Sequence, residues 1–184
     1  TNLSYTMKKF ISIFTMLLCI IMVSAAERPF ELVEGDIAAF KGAGNIEVTF
    51  DFDDATYDMQ EPISVHYATL DDMLLRVPPY FKHGYQKKAK RSKVVYEEDN
   101  PQYLVVIKIT NVKYNSKVLS VGSSNNTSLW GTITVKDKAT GATVLVLNIN
   151  GCAGGHDFSA DQSFIKSFQQ LGEDFGKLQS KGIL

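Results

Sequence analysis

The segment "FSADQSFIKSFQQLGEDFGKL", residues 158–178, constrains the fold more than any other part of the chain. Phe164, Phe168, Leu171, Phe175 and Leu178 recur in it at spacings of four, three, four and three. That period lays all five on one side of an α-helix and leaves the charged residues elsewhere on its circumference. Ser159, with Gln162 three residues on, reads as a capping box at the start of this helix. A stripe with three phenylalanines has to be covered, and the preceding residues read as the sheet that covers it. "SLWGTITVKD" and "GATVLVLNIN" are strands joined by "DKATG", in which Asp137 opens a tight turn and Gly141 takes the positive φ that closes it. "PQYLVVIKITNVKY" is apolar on both faces at first and alternates later, as a central strand does on leaving the core. "NIEVTFDFDD" alternates throughout, with Ile46, Val48, Phe50 and Phe52 on one face and Glu47, Thr49, Asp51 and Asp53 on the other. A period of two spreads these carboxylates along a solvated strand face; it does not gather them into a calcium loop.

The remaining segments are weaker. "KVVYEED" reads as a short strand, and "GDIAAFKGAGN" as a glycine-punctuated lead-in outside the core. In "ATLDDMLLRVPPYFKHGYQKKAKRSK", Pro78 and Pro79 interrupt or restart any helix, because proline has no N–H and its ring crowds the preceding turn. A helix is therefore expected from about Pro79 to Arg91, with Phe81, Tyr85 and Ala89 on its buried side. Its cationic side carries Lys82, Lys87, Lys88, Lys90 and Arg91, with His83 among them and Lys93 just beyond. This is a candidate interaction patch for an acidic polymer or headgroup, although such a run is more often the wet face of an amphipathic helix. Together the segments predict one α+β domain: a mixed or antiparallel sheet of about five strands, one long C-terminal helix, and a second, shorter helix packed on it.

The N-terminal part has a different character. After Met7 come Lys8 and Lys9, then the 14-residue apolar run "FISIFTMLLCIIMV", then "SAA" ahead of Glu27 and Arg28. This is the pattern of a secretory signal peptide over residues 1–26, starting at Met7 and cut after Ala26, and the run is too short to span a bilayer comfortably. Cys19 follows Leu17 and Leu18, where a lipoprotein signal would need small residues, so no lipid anchor is expected. Cleavage would leave a single exported domain, residues 27–184, with its core at about 44–180 and no transmembrane segment, located in the periplasm or outside the cell. It would carry 17 basic and 20 acidic residues, a formal charge of −3, which argues against non-specific nucleic-acid binding. Cys152 would be its only cysteine, so packing alone has to hold the fold.

Chemistry is concentrated in "NINGCAGGHDF", residues 148–158. Cys152 and His156 are the catalytic candidates, as nucleophile and base of a thiol-dependent hydrolase. A spacing of four brings two side chains together only on a helix, and two of the three intervening residues are glycine. The simpler reading is a turn made by the glycines, with a small apolar cysteine at a strand end and an incidental loop histidine. The glycine-rich link 151–155, just before a helix, could instead cradle an anion or small ligand through backbone N–H groups, though Asp157 opposes an anion. His66, His83 and His156 are too scattered for a metal site, and no cofactor is implied. No nucleophile elbow, zinc-protease helix, phosphate loop or dinucleotide fingerprint is present. Asn125 to Ser128 contain overlapping glycosylation sequons, which mark a polar loop.

The order of these segments resembles a known group. "KVVYEEDNPQYLVVIKI", a polar loop, the pattern G-x-I-x-V-x-D-x-x-T-G from Gly131 to Gly141, a glycine-rich link and a final amphipathic helix are similar to small exported α/β domains of bacterial envelopes. These are related to the TolB amino-terminal domain and the CsgG-type lipoproteins, and a set of small secreted bacterial proteins of unassigned function is closer still. The resemblance covers about residues 44–180. It implies a non-enzymatic envelope or secreted protein that works in assembly or scaffolding through a protein partner. The anchoring cysteine of the lipoprotein members and the TolB propeller have no counterpart here.

Overall fold

The computed structural model describes residues 28–42, 44–115, 126–155, 157 and 159–182. The signal-peptide reading, with Met7, Cys19 and the cut after Ala26, lies outside these residues, as do Asn125 and His156. The described residues form one α+β domain. Seven strands make a single mixed sheet: β1 (Phe30–Gly35), β2 (Ile46–Asp51), β3 (Thr56–Tyr57), β4 (Glu61–Pro62), β5 (Tyr103–Asn115), β6 (Asn126–Asp137) and β7 (Thr143–Gly154). The strand order is β1-β7-β6-β5-β3-β4, and β2 also pairs with β5. Most pairings are antiparallel. β2 and β3 run parallel to β5, one after the other along the same edge, β2 beside Tyr103 to Lys108 and β3 beside Asn111 and Val112.

Four of the expected strands are present as β2, β5, β6 and β7. The hairpin between β6 and β7 has the predicted chemistry. Asp137 Oδ1 accepts from Thr140 N–H at 2.8 Å and from its hydroxyl at 2.9 Å, and Gly141 closes the turn at φ 72°. The fifth expected strand does not form. Only Val94 of "KVVYEED" bridges to Ile46, after which the chain enters a 3₁₀ turn at Glu97–Asp99, because three acidic residues in a row are better solvated than paired. β1, β3 and β4 are additional. β1 sits on the edge beside β7, and β3 and β4 are two residues each, too short to show a period.

Four helices accompany the sheet: α1 (Ile37–Phe40), α2 (Ile63–His66), α3 (Leu70–Lys88) and α4 (Ala160–Lys181). The stripe on α4 is buried as its period predicts, with Phe164, Phe168, Leu171 and Phe175 at 0% exposure and Leu178 at 2%. The capping box does not form: Ser159 is the N-cap residue, but its side chain makes no cap bond and its own N–H instead donates to Asp157 Oδ1 at 3.2 Å. α3 also departs from expectation. It runs unbroken from Leu70 through Pro78 and Pro79, and it ends before Lys90 and Arg91. The two prolines are exposed and remove two backbone donors, but Met73 and Val77 before them and Phe81 and Tyr85 after them are all buried in the same core, which holds the two halves in line. The lead-in belongs to the core after all. Phe40 at the end of α1 is fully buried, stacked on Phe175 at 5.5 Å, and Phe30 of β1 packs edge-on to the same ring.

α3 and α4 cross at close range because glycines face backbone there. A Cβ on Gly84 would run into the carbonyl of Gln169, and one on Gly172 into the carbonyl of Phe81. Both long helices thus lie on one side of the sheet, α4 against β6 and β7, and α3 against α4 and β2. No helix among the described residues is long and apolar enough to cross a membrane.

Candidate functional site

The end of β7 is where the sequence concentrates reactive groups, and its local structure follows from the ladder. Residues 151–154 are not a turn. They continue β7, with Cys152 opposite Leu129, Ala153 opposite Ser128 and Gly154 opposite Thr127 on β6. The reversal comes later, at Gly155, whose φ is 69° and where a Cβ would meet the carbonyl of Ser163. Cys152 points into the helix layer at 2% exposure. Its Sγ donates to Asp174 Oδ2 of α4 at 3.9 Å. Burial, and next the Asp174 carboxylate, push the thiol up to about 12. A thiol kept protonated at neutral pH is a poor nucleophile.

The cationic residues of the α3 region fall into three environments. Lys87 and Lys88 both reach Glu173 of α4, at 2.8 and 3.7 Å, and hold the two helices together. Lys82 lies 5.1 Å over the ring of the exposed Tyr96. Lys90 and Arg91 lie beyond the helix, in the turn that follows it. The five are therefore not one continuous patch. Of the scattered histidines, His83 is exposed on α3, and His66 stacks on Tyr57 with its Nδ1 3.2 Å from Glu61 Oε1. Lys108 sits between Asp51 and Asp54, at 3.7 and 2.8 Å, which gives the acidic strand face an ordinary ion-pair partner. No group of three or more potential metal-ligating side chains gathers among the described residues.

A third place was not apparent from the sequence. The chain's only tryptophan, Trp130 on β6, lies against Gly151 of β7, and the two form part of the wall of a groove of about 700 Å³ lined also by Arg28, Leu32 and Asn150. Gly151 has φ 65°, and a Cβ there would stand 3.2 Å from the indole, so the glycine lets the ring approach the strand. The groove lies where β1 begins. Asn150 N–H donates to the Pro29 carbonyl at 3.1 Å and its side chain to Glu31 at 3.2 Å. An indole beside a guanidinium, an amide and a carboxylate can hold a small polar ligand with an apolar face. The lone Trp was the available signal, but nothing in its spacing ties it to Arg28.

The sequence matches no family model and no curated protein. Among solved structures, the PelC dodecamer from Paraburkholderia phytofirmans is similar at 12% identity and a TM-score of 0.46, over 82% of this chain and 98% of that one. A neuraminyllactose-binding hemagglutinin homolog from Helicobacter pylori is similar at 8% identity and a TM-score of 0.37, over 83% and 90%. Both are bacterial proteins, and likeness at this level assigns no activity.

Proposed function

We propose that this chain is an exported bacterial envelope or secreted protein that acts without catalysis, as an assembly or interaction module. The observation that supports this is the one-sided coverage of the sheet. With α3 and α4 on the same side, the other face presents Leu104, Val106, Thr132, Thr134 and Val146, all half-buried and bordered by the Lys108–Asp51 and Lys138–Glu47 ion pairs, with no described helix over them. A patch of valine, leucine and threonine with charged borders is suited to pack against another protein. The likeness of the sequence to the TolB amino-terminal domain and the CsgG-type lipoproteins is consistent with this reading. So is the signal-peptide pattern, which would place the domain in the periplasm or outside the cell.

Site-specific photo-crosslinking in intact cells tests it. A crosslinking residue at Thr134 or Val146 should yield a discrete protein adduct in the exported fraction, and one at exposed Gln86 on α3 should not. Adducts from Gln86 alone would overturn the reading. A second reading, a small-ligand protein, is favoured by the Trp130 groove, in which Gly151 of the glycine-rich link takes part. Quenching or blue-shift of the single tryptophan's fluorescence by a small molecule would support it over partner binding.

A further inference from the structure

Three cations meet at a notch on the helix side of the molecule. It encloses about 430 Å³ between the end of α1, the turn after α3 and the last turn of α4, and is lined by Lys41, Gly42, Lys90, Arg91, Gln179 and Ser180. Lys41 and the Lys90–Arg91 pair are far apart in sequence, so only the fold brings them together. Helix C-termini attract cations on their own account, because their last carbonyls lack intrahelical donors. Here protein donors already serve four of those carbonyls. Gly42 N–H donates to Gln179 O at 3.1 Å, Ser180 Oγ to Lys88 O at 3.0 Å, Ala89 N–H to Tyr85 O at 2.8 Å and Gly182 N–H to Leu178 O at 2.7 Å.

Nor are the three charges matched by acids among the described residues. Glu173 takes Lys87 and Lys88, and among the described residues no carboxylate comes within ion-pair distance of Lys41, Lys90 or Arg91. The turn that carries Lys90 and Arg91 is also held at both ends. Ala89 is buried, and Ser92, 1% exposed, is fixed between the Tyr85 hydroxyl at 2.8 Å and the Gly44 carbonyl at 2.7 Å. On the opposite wall, the Lys41 stem lies against Gly182, where a Cβ would come within 2.8 Å of it. The backbone positions of the three cations are thus set before any ligand arrives, which lowers the entropic cost of binding.

We infer that this notch binds a phosphate-like oxyanion, either as free phosphate or as a phosphodiester headgroup. Arg91 supplies the planar fork suited to two oxygens at once, and Lys41 and Lys90 supply point charges beside it. The site lies among the helices, away from the uncovered sheet face, so it is independent of the partner-binding reading. Thermal melting and calorimetry of the purified protein with inorganic phosphate, against chloride at equal ionic strength, test it. Saturable stabilisation by phosphate is expected. Arg91→Ala should weaken binding about tenfold or more, as loss of one charge-assisted pair implies. Lys90→Ala and Lys41→Ala should weaken it too, while Lys82→Ala should not. Melting without phosphate reports whether each variant is folded. If free phosphate has no effect but the protein sediments with phosphatidylglycerol vesicles and not phosphatidylcholine vesicles, in an Arg91-dependent way, the source is a headgroup and the site stands. Binding unchanged in Arg91→Ala, or a response to neither probe, overturns it.

Discussion

At the scale of single residues, Cys152 decides between chemistry and packing. A thiol pushed up to about 12 from its ordinary value of 9.0 has a thiolate fraction at neutral pH about a thousandfold lower. The higher basicity of the remaining thiolate recovers part of that loss, leaving a rate roughly 50-fold lower before access is counted. Alkylation of the native protein by iodoacetamide at pH 7.5 should therefore be at least that much slower than alkylation of the urea-unfolded chain. Asp174→Asn should restore only part of the difference, because burial is the larger cause and the carboxylate the second. Equal rates in the native and unfolded states would mean that the thiol is not where β7 places it. The small apolar character of Cys152 was legible in the sequence. Its neighbour Asp174 was not, since that contact spans 22 residues.

At the scale of elements, the α3–α4 pair carries the largest contact outside the sheet ladder among the described residues, and it depends on residue size. On an exposed helix, alanine would stabilise relative to glycine by about 1 kcal/mol. At Gly172 the sign should reverse, because the added methyl meets the Phe81 carbonyl, and overpacking of this kind costs about 1–3 kcal/mol. Phe175→Ala should cost more, about 3–5 kcal/mol, since its ring packs on Phe30, Phe40, Phe81 and Tyr85. Ser159→Ala should fall below the ~1 kcal/mol usual for an N-cap, as its hydroxyl makes no cap bond. Urea melts of the three variants check this order, and Gly172→Ala melting above the parent protein would remove the close crossing. The apolar stripe of α4 was plain from its period. The glycine contacts were not, because glycine in a helical pattern shows weakness but not what approaches it.

At the scale of the whole molecule, burial holds several weak acids neutral into the alkaline range. Burial raises Cys152, Tyr67 and Tyr85, and all three are uncharged in the native core. A group whose native pKa lies above its unfolded value contributes stability that is complete below the unfolded pKa and is lost as pH rises towards the native one. The unfolded thiol is half ionised at about pH 8.5–9 and the unfolded phenols at about pH 10. Denaturant midpoints should therefore be flat in these groups through neutral pH and fall progressively above about pH 9. Among the described residues the Tyr67 hydroxyl has no hydrogen-bond partner, whereas that of Tyr85 donates to Ser92 Oγ at 2.8 Å, which partly offsets its burial. Midpoints unchanged from pH 8 to 11 in wild type, with Cys152→Ala and Tyr67→Phe behaving the same, would show that these groups are not buried together.

The sequence by itself determined which residues alternate and which recur every third or fourth position, and hence β2, β5, β6, β7 and the buried side of α4. Such patterns are legible because each element repeats its own backbone geometry and so sorts side chains by local rules. The unbroken α3 and the buried Phe40 followed other rules. Two prolines that end a helix in isolation are carried through when the core on both sides fixes its course, and a lead-in with glycines is drawn inward when one phenylalanine finds Phe175. Only the tertiary structure placed Lys41 beside Arg91 and Trp130 beside Arg28. Those residues share no period and no segment, and their proximity results from helices and strands settling against a common core.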